Sequence, residues 1–169
     1  REKGHEGTGV TADPAPQGSL PQERTTVHYR GLITKGEELR YVSHLDYANL
    51  FVRACKRAGL PMAYSEGFNP HMKVAFASAL SLGAASDAEY VDFEMTEELP
   101  PHEVMQRLRD QLPRGAEIIR LRLQEGKHRA LMADVDEARY RLKIPYEGEL
   151  APVRESVRRY NSAAHAVWE

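Results

Sequence analysis

Two segments with helical hydrophobic spacing, each set between short strand-like runs, constrain this 169-residue chain more than any other feature. In the first, Ser43 is a natural N-cap and Asp46 completes a capping-box pattern. Leu45, Ala48, Phe51, Val52, Cys55 and Ala58 recur at helical spacing, and Gly59 and Pro61 stop the helix. In the second, Pro100 and Pro101 open a helix whose stripe is Val104, Met105, Leu108 and Leu112, ended by Pro113 and Gly115.

Strand-like runs fill the rest. Val27–Ile33 and Leu39–Val42 are expected to form a hairpin, Met62–Tyr64 a short strand, and Lys73–Ala77 and Tyr90–Met95 two more. Ile118–Leu123 follows the second helix. Leu131–Ala138 reads as a short helix, Tyr140–Ile144 as an alternating strand, and Val153–Val167 as a last helix. Two helices, each between strands, give an α+β class with a ferredoxin-like α/β sandwich and terminal additions. Residues 1–25 are rich in Gly and Pro with almost no large apolar side chain, and are expected to be a disordered leader. The domain is placed at 26–147 and a C-terminal helical segment at 148–169. A first residue of Arg rather than Met is expected of a piece of a longer fusion.

The single cysteine, Cys55, excludes an internal disulfide framework and a cluster held by several thiolates of this chain, and fits a cytoplasmic setting. No apolar run approaches the roughly 20 residues of a membrane span. Formal net charge is −2, with an asymmetry beneath it: residues 28–80 carry seven Lys/Arg against four acids, and residues 81–150 ten against fifteen. The basic half is a candidate face for an anionic partner.

That half also holds the two polar clusters that stand out. Ser43-His44-Leu45-Asp46 lies at a helix start, where backbone N–H groups are unpaired and His44 adds a donor. From Tyr64 to Lys73, the residues Ser65, Glu66, Asn69, His71 and Lys73 surround a turn set by Gly67 and Pro70, and Phe68 either anchors the loop or stacks on a base. Arg53, Lys56 and Arg57 add positive charge on the helix surface. The expected binding set is Ser43, His44, Asp46, Arg53, Arg57, Tyr64, Ser65, Glu66, Phe68, Asn69, His71 and Lys73, with the helix start and the Asn-Pro turn meeting in one pocket. Cys55 reads as a core residue. His44, Asp46, Glu66 and His71 would be the ligands of a metal-dependent hydrolase or nuclease, though no known spacing joins them. Ser43 or Ser65 with a His and an acid has no nucleophile-elbow pattern around it.

The run Arg40-Tyr41-Val42-Ser43-His44-Leu45-Asp46, then Arg57-Ala58-Gly59-Leu60-Pro61, Tyr64-Ser65-Glu66-Gly67-Phe68-Asn69-Pro70-His71, Ala79-Leu80-Ser81-Leu82-Gly83 and Leu112-Pro113-Arg114-Gly115 resembles the radical-SAM-linked domain of unknown function found in bacteria. The resemblance implies a radical-SAM partner domain, fused or neighbouring and often with a cobalamin-binding region. The iron–sulfur cluster and S-adenosylmethionine would belong to that partner, since this chain lacks a CxxxCxxC motif and is expected to hold no cofactor itself. The order helix, Tyr64-Ser65-x-Gly67-Phe68-x-Pro70, strand is also similar to the first half of the ferredoxin-like CRISPR repeat-processing endoribonucleases, a pattern that transfers no catalytic residue. The leading expectation is a non-catalytic accessory domain that recognises RNA, tRNA included, or another anionic substrate. Alternatives are a protein-docking module for the radical-SAM domain and the metal-dependent hydrolase.

Overall fold

A computed structural model describes residues 26–126 and 129–162. The leader expected at 1–25 lies outside the described residues. The element order is β1 (Val27–Lys35), α1 (His44–Arg57), β2 (Val74–Phe76), β3 (Ser86–Met95), α2 (Pro101–Arg109), β4 (Ala116–Gln124), α3 (Leu131–Asp134) and α4 (Leu150–Ser162). The four strands form one antiparallel sheet in the order β2-β3-β1-β4. Each helix therefore connects two strands that are separated by a third running the opposite way, which is the split βαβ arrangement of a ferredoxin-like α+β sandwich. The chain divides into two compact units at Asp136/Glu137, and the first contains the whole sheet.

Strand alternation, reset in β4 by a bulge at Ile119, sorts the first unit into two faces. Tyr29, Ile33, Val91, Phe93, Met95, Ile118 and Leu121 point to one side and close a core with Tyr47, Phe51, Ala54 and Cys55 of α1 and Val104 and Leu108 of α2. Burying each large side chain of this kind stabilises by about 1.5–3 kcal/mol. Two polar groups are taken into it without loss of partners. Tyr29 is stacked on Phe93, and its hydroxyl donates to the Leu99 carbonyl at 2.7 Å and accepts from the Leu99 N–H at 2.9 Å. Tyr47 donates to the Thr34 carbonyl at 2.5 Å.

Helix α1 begins and ends as its sequence dictates. The Ser43 hydroxyl accepts from the Asp46 N–H at 3.1 Å and donates to the Asp46 carboxylate at 2.7 Å. At the other end Gly59 has φ +62°, its N–H reaches the Lys56 carbonyl, and the Leu60 N–H reaches Cys55, a Schellman closure. The buried stripe is rotated from the expected one: Tyr47, Phe51, Ala54 and Cys55 are inside, whereas Leu45 is exposed. The hydroxyl of Tyr47, satisfied by Thr34, lets that face turn inward.

Three expected strands do not form. Leu39–Val42 does not pair with β1, because β1 is central and has β3 and β4 on its two edges. The segment instead makes a 3-10 turn at Glu37–Leu39, and its carbonyls at Arg40 and Val42 accept from the buried ammonium of Lys35 at 3.4 and 2.7 Å. Tyr140–Ile144 is not a strand either, and Tyr140, Leu142 and Ile144 are exposed. Alternation provides a face but no ladder partner, and among the described residues of the second unit there is no other strand. Met62 and Tyr64, expected as a strand, make isolated bridges to Met95 and Met72. Among the described residues no helix is long and apolar enough to cross a membrane.

Candidate functional site

The loop from Tyr64 to Met72 is a closed hairpin held from within. Tyr64 bridges Met72, the Ser65 N–H donates to the His71 carbonyl at 2.8 Å, and the His71 N–H donates back to the Ser65 hydroxyl at 3.1 Å. The same hydroxyl lies 2.8 Å from His71 Nδ1. Between these pins Gly67 adopts φ +115°, a conformation that favours glycine. Glu66, Phe68, Asn69 and Pro70 form the exposed tip, and the Phe68 ring is wholly in solvent, so it anchors nothing.

The limb leaving this hairpin runs into β2 and along the sheet face opposite α1 and α2. By register, that face has three rows: Lys73, Glu94, His28 and Gln124; Ala75, Asp92, Arg30 and Arg122; Tyr90, Leu32 and Arg120. Helix α3 lies over its β2–β3 side, with Leu131 buried. A cavity of about 470 Å³ opens there, bounded by His28, His71, Lys73, Asp92, Glu94, Arg129 and Leu131 among others.

Its charges are largely matched. Arg30 takes both oxygens of Asp92 at 2.8 Å each, reaches Asp134 at 2.5 Å and donates to the Arg129 carbonyl at 3.2 Å. These carboxylates hold the guanidinium proton more tightly than usual. Lys73 donates to Glu94 at 2.7 Å, Thr26 donates to the same oxygen at 2.8 Å, and His28 Nδ1 lies 3.8 Å from the other. Burial pushes the Glu94 carboxyl up, but these donors and the positive charge beside it outweigh that and hold it below its ordinary value.

Of the expected binding set, His71 and Lys73 border this cavity. Ser65 positions His71, and Tyr64 closes the hairpin. Ser43, His44 and Asp46 do not join them, which corrects the expected single pocket. The His44 ring stands edge-on to Phe76, 5.6 Å away, at the end of β2, whereas His71 precedes its start. About 16 Å of extended chain separates His71 from Phe76. The reason is topological: α1 starts where β1 ends, and β2 runs parallel to β1, so the helix start and the loop before β2 fall at opposite ends of the sheet. Ser43 and Asp46 are engaged in capping each other. Arg57 donates to the Gln111 carbonyl at 2.7 Å and Arg53 projects into solvent. Among the described residues no group of three or more His, Cys, Asp or Glu is placed to hold a metal ion, so His44, Asp46, Glu66 and His71 form no such centre.

The basic half is also less available than its charge suggests. Lys35 is buried, Arg30 and Lys73 are ion-paired, Arg40 is bound to Glu37 and lies over Tyr41, and Arg57 is bound to a carbonyl. The exposed cations of the open face, Arg120, Arg122 and Arg129, come from the half whose net charge is acidic. Sequence reasoning missed these and His28. The signal that finds His28, Arg120 and Arg122 is strand parity, read in β4 from Leu121 and Leu123 on the far side of the bulge at Ile119, whereas Arg129 lies beyond β4 and parity does not reach it.

No match is found among curated proteins. The family model described as an uncharacterized protein conserved in bacteria (DUF2344) matches residues 28–169, and the chain belongs to that family.

Proposed function

We propose that this domain is a non-catalytic recognition module for RNA, working beside a radical-SAM partner that holds the iron–sulfur cluster and S-adenosylmethionine. The partner rests on the resemblance of the Arg40–Asp46 and Tyr64–His71 motifs to radical-SAM-linked domains. The observation that carries RNA recognition is the hairpin at Ser65–His71: three close contacts fix a loop whose tip is a fully exposed phenyl ring, and whose outgoing limb delivers His71 and Lys73 to a cavity shared with His28 and Arg129. Packing gives no reason for a wholly solvated Phe on a pinned loop, whereas a stacking platform beside phosphate-binding groups needs that arrangement.

Filter binding of the chain to a labelled transfer RNA across a salt series tests this. Affinity is expected to fall linearly on a log–log salt plot, and Phe68→Ala or Arg129→Gln is expected to weaken it. An absence of salt-dependent RNA binding would refute the proposal. A second reading, docking of the partner protein, is favoured by Tyr41, Leu45 and Leu82. These are exposed near the start of α1, where the Gly83 N–H bonds the Arg40 carbonyl. Tyr41→Ser/Leu45→Ser would then abolish copurification with the radical-SAM protein while leaving RNA affinity intact.

A further inference from the structure

We infer that the part of the sheet left open by the described residues of the first unit, on β4, β1 and the Tyr90 end of β3, is a track for single-stranded rather than duplex RNA, with Arg120 and Arg122 on successive phosphates and Tyr90 under a base. The inference rests on the RNA-recognition reading and names the ligand's form.

Arg120 and Arg122 lie two residues apart on β4 and are both exposed. Parity sends both to the open face, about 6.8 Å apart along the strand. No described residue bonds either guanidinium, unlike Arg30 beside them, which is saturated by Asp92 and Asp134. Two neighbouring cations without counter-ions on one strand repel each other, whereas Arg30, across the β1–β4 ladder from Arg122, is already neutralised by its two carboxylates. A polyanion laid along β4 would relieve that repulsion. The acids near this face leave the stripe positive: Asp92 and Asp134 are paired with Arg30 and Glu94 with Lys73, and Glu117 stands alone at the opposite end of β4.

The form of the RNA follows from what lies beside the arginines. Across the ladder Arg120 faces Leu32, and Leu32 faces Tyr90, a residue 41% exposed. A phosphate on Arg120 thus has an apolar shelf and then an aromatic ring within reach of its own base. Bases inside a duplex have both faces covered by their neighbours and have no use for such a ring, whereas an unpaired base does. Helix α3, held over the β2–β3 side by Arg30–Asp134, leaves open only about two strand spacings, roughly 10 Å, which suits one strand.

The test is fluorescence anisotropy of the 169-residue chain with a labelled 12-nucleotide uridine-rich RNA and with a blunt 12-base-pair RNA duplex, over a salt series. The single strand is expected to bind at least tenfold tighter. Arg120→Gln/Arg122→Gln should reduce the salt slope by about 1.4, two phosphates at ~0.7 each. Tyr90→Ala should weaken the single strand about fivefold or more. Lys56→Gln/Arg114→Gln removes the same charge elsewhere and should leave the slope unchanged. Equal or tighter duplex binding, or a β4 double variant that behaves like this control, overturns the track and leaves RNA recognition standing. Binding of neither RNA removes the recognition reading and the track together. Displacement of the RNA by polyglutamate, with Tyr90→Ala silent, would assign the stripe to an acidic peptide and overturn the inference.

Discussion

Replacing Arg30 with Met tests whether one side chain holds α3 against the sheet. Met keeps an unbranched stem of similar reach and removes the guanidinium. Arg30 is 15% exposed, Asp92 21% and Asp134 31%, so both ion pairs are mostly withdrawn from water. Removing one partner of a fully buried pair costs about 3–5 kcal/mol because the other charge is stranded. Here a fifth of Asp92 stays wetted, which reduces that part to about 2–3 kcal/mol. Leu131 adds up to about 1.5–3 kcal/mol if α3 lifts and exposes it. The two terms share one contact and are not additive, so about 3 kcal/mol is expected in all. Arg30→Lys restores the charge without the two-pronged geometry and should recover about 1 kcal/mol. Urea unfolding followed by far-UV circular dichroism gives the total, and hydrogen exchange locates it. The amides of 129–134 should exchange faster in Arg30→Met while those of α1 at Phe51–Cys55 keep their protection relative to global stability. A change within ~0.5 kcal/mol, the range of ordinary surface substitutions, or a uniform rise in exchange with no excess at 129–134, would refute the account.

Three further outcomes follow from single contacts. Tyr29→Phe strands both backbone groups of Leu99 inside the core boundary and should cost about 1–3 kcal/mol in urea unfolding, with the sheet intact. Because Glu94 has its folded pKa held below the ordinary 4.5, its pairing stabilises the protein above that value. The stabilisation is lost as pH falls through the lower folded pKa, so Glu94→Gln should flatten the acid limb of thermal midpoints measured over about pH 3 to 6. Cys55 is buried and its thiol is pushed up to about 12, so a thiol reagent at neutral pH should label it only at the rate of unfolding, and fast labelling of the native protein would contradict the packing.

Elements whose signals are local were legible in the chain. The Ser43–Asp46 cap and the Gly59 closure depend on a few adjacent residues, and both form as read. The order of two helices among strands was enough for the α+β class. Errors came where a residue's partner is distant in sequence. Leu39–Val42 carries strand-like residues, but β1 already has two neighbours. Lys35 counts as surface charge in any composition, yet it is buried beneath the carbonyls of Arg40 and Val42. Neither fact is visible to a window of a dozen residues.

The sequence alone determined the caps, the alternation of the strands and the pinned polar loop, because hydrogen bonding and side-chain periodicity act over a few residues. Tertiary structure decided which polar residues meet. Crossing from β1 through α1 to β2 sends His44 to one end of the sheet and His71 to the other, while pairing across β3, β1 and β4 brings Lys73, His28 and Arg122 onto one face from positions up to 94 residues apart. Strand order is fixed by burying both helices on a single side, a condition on the whole core that no short segment of the chain contains.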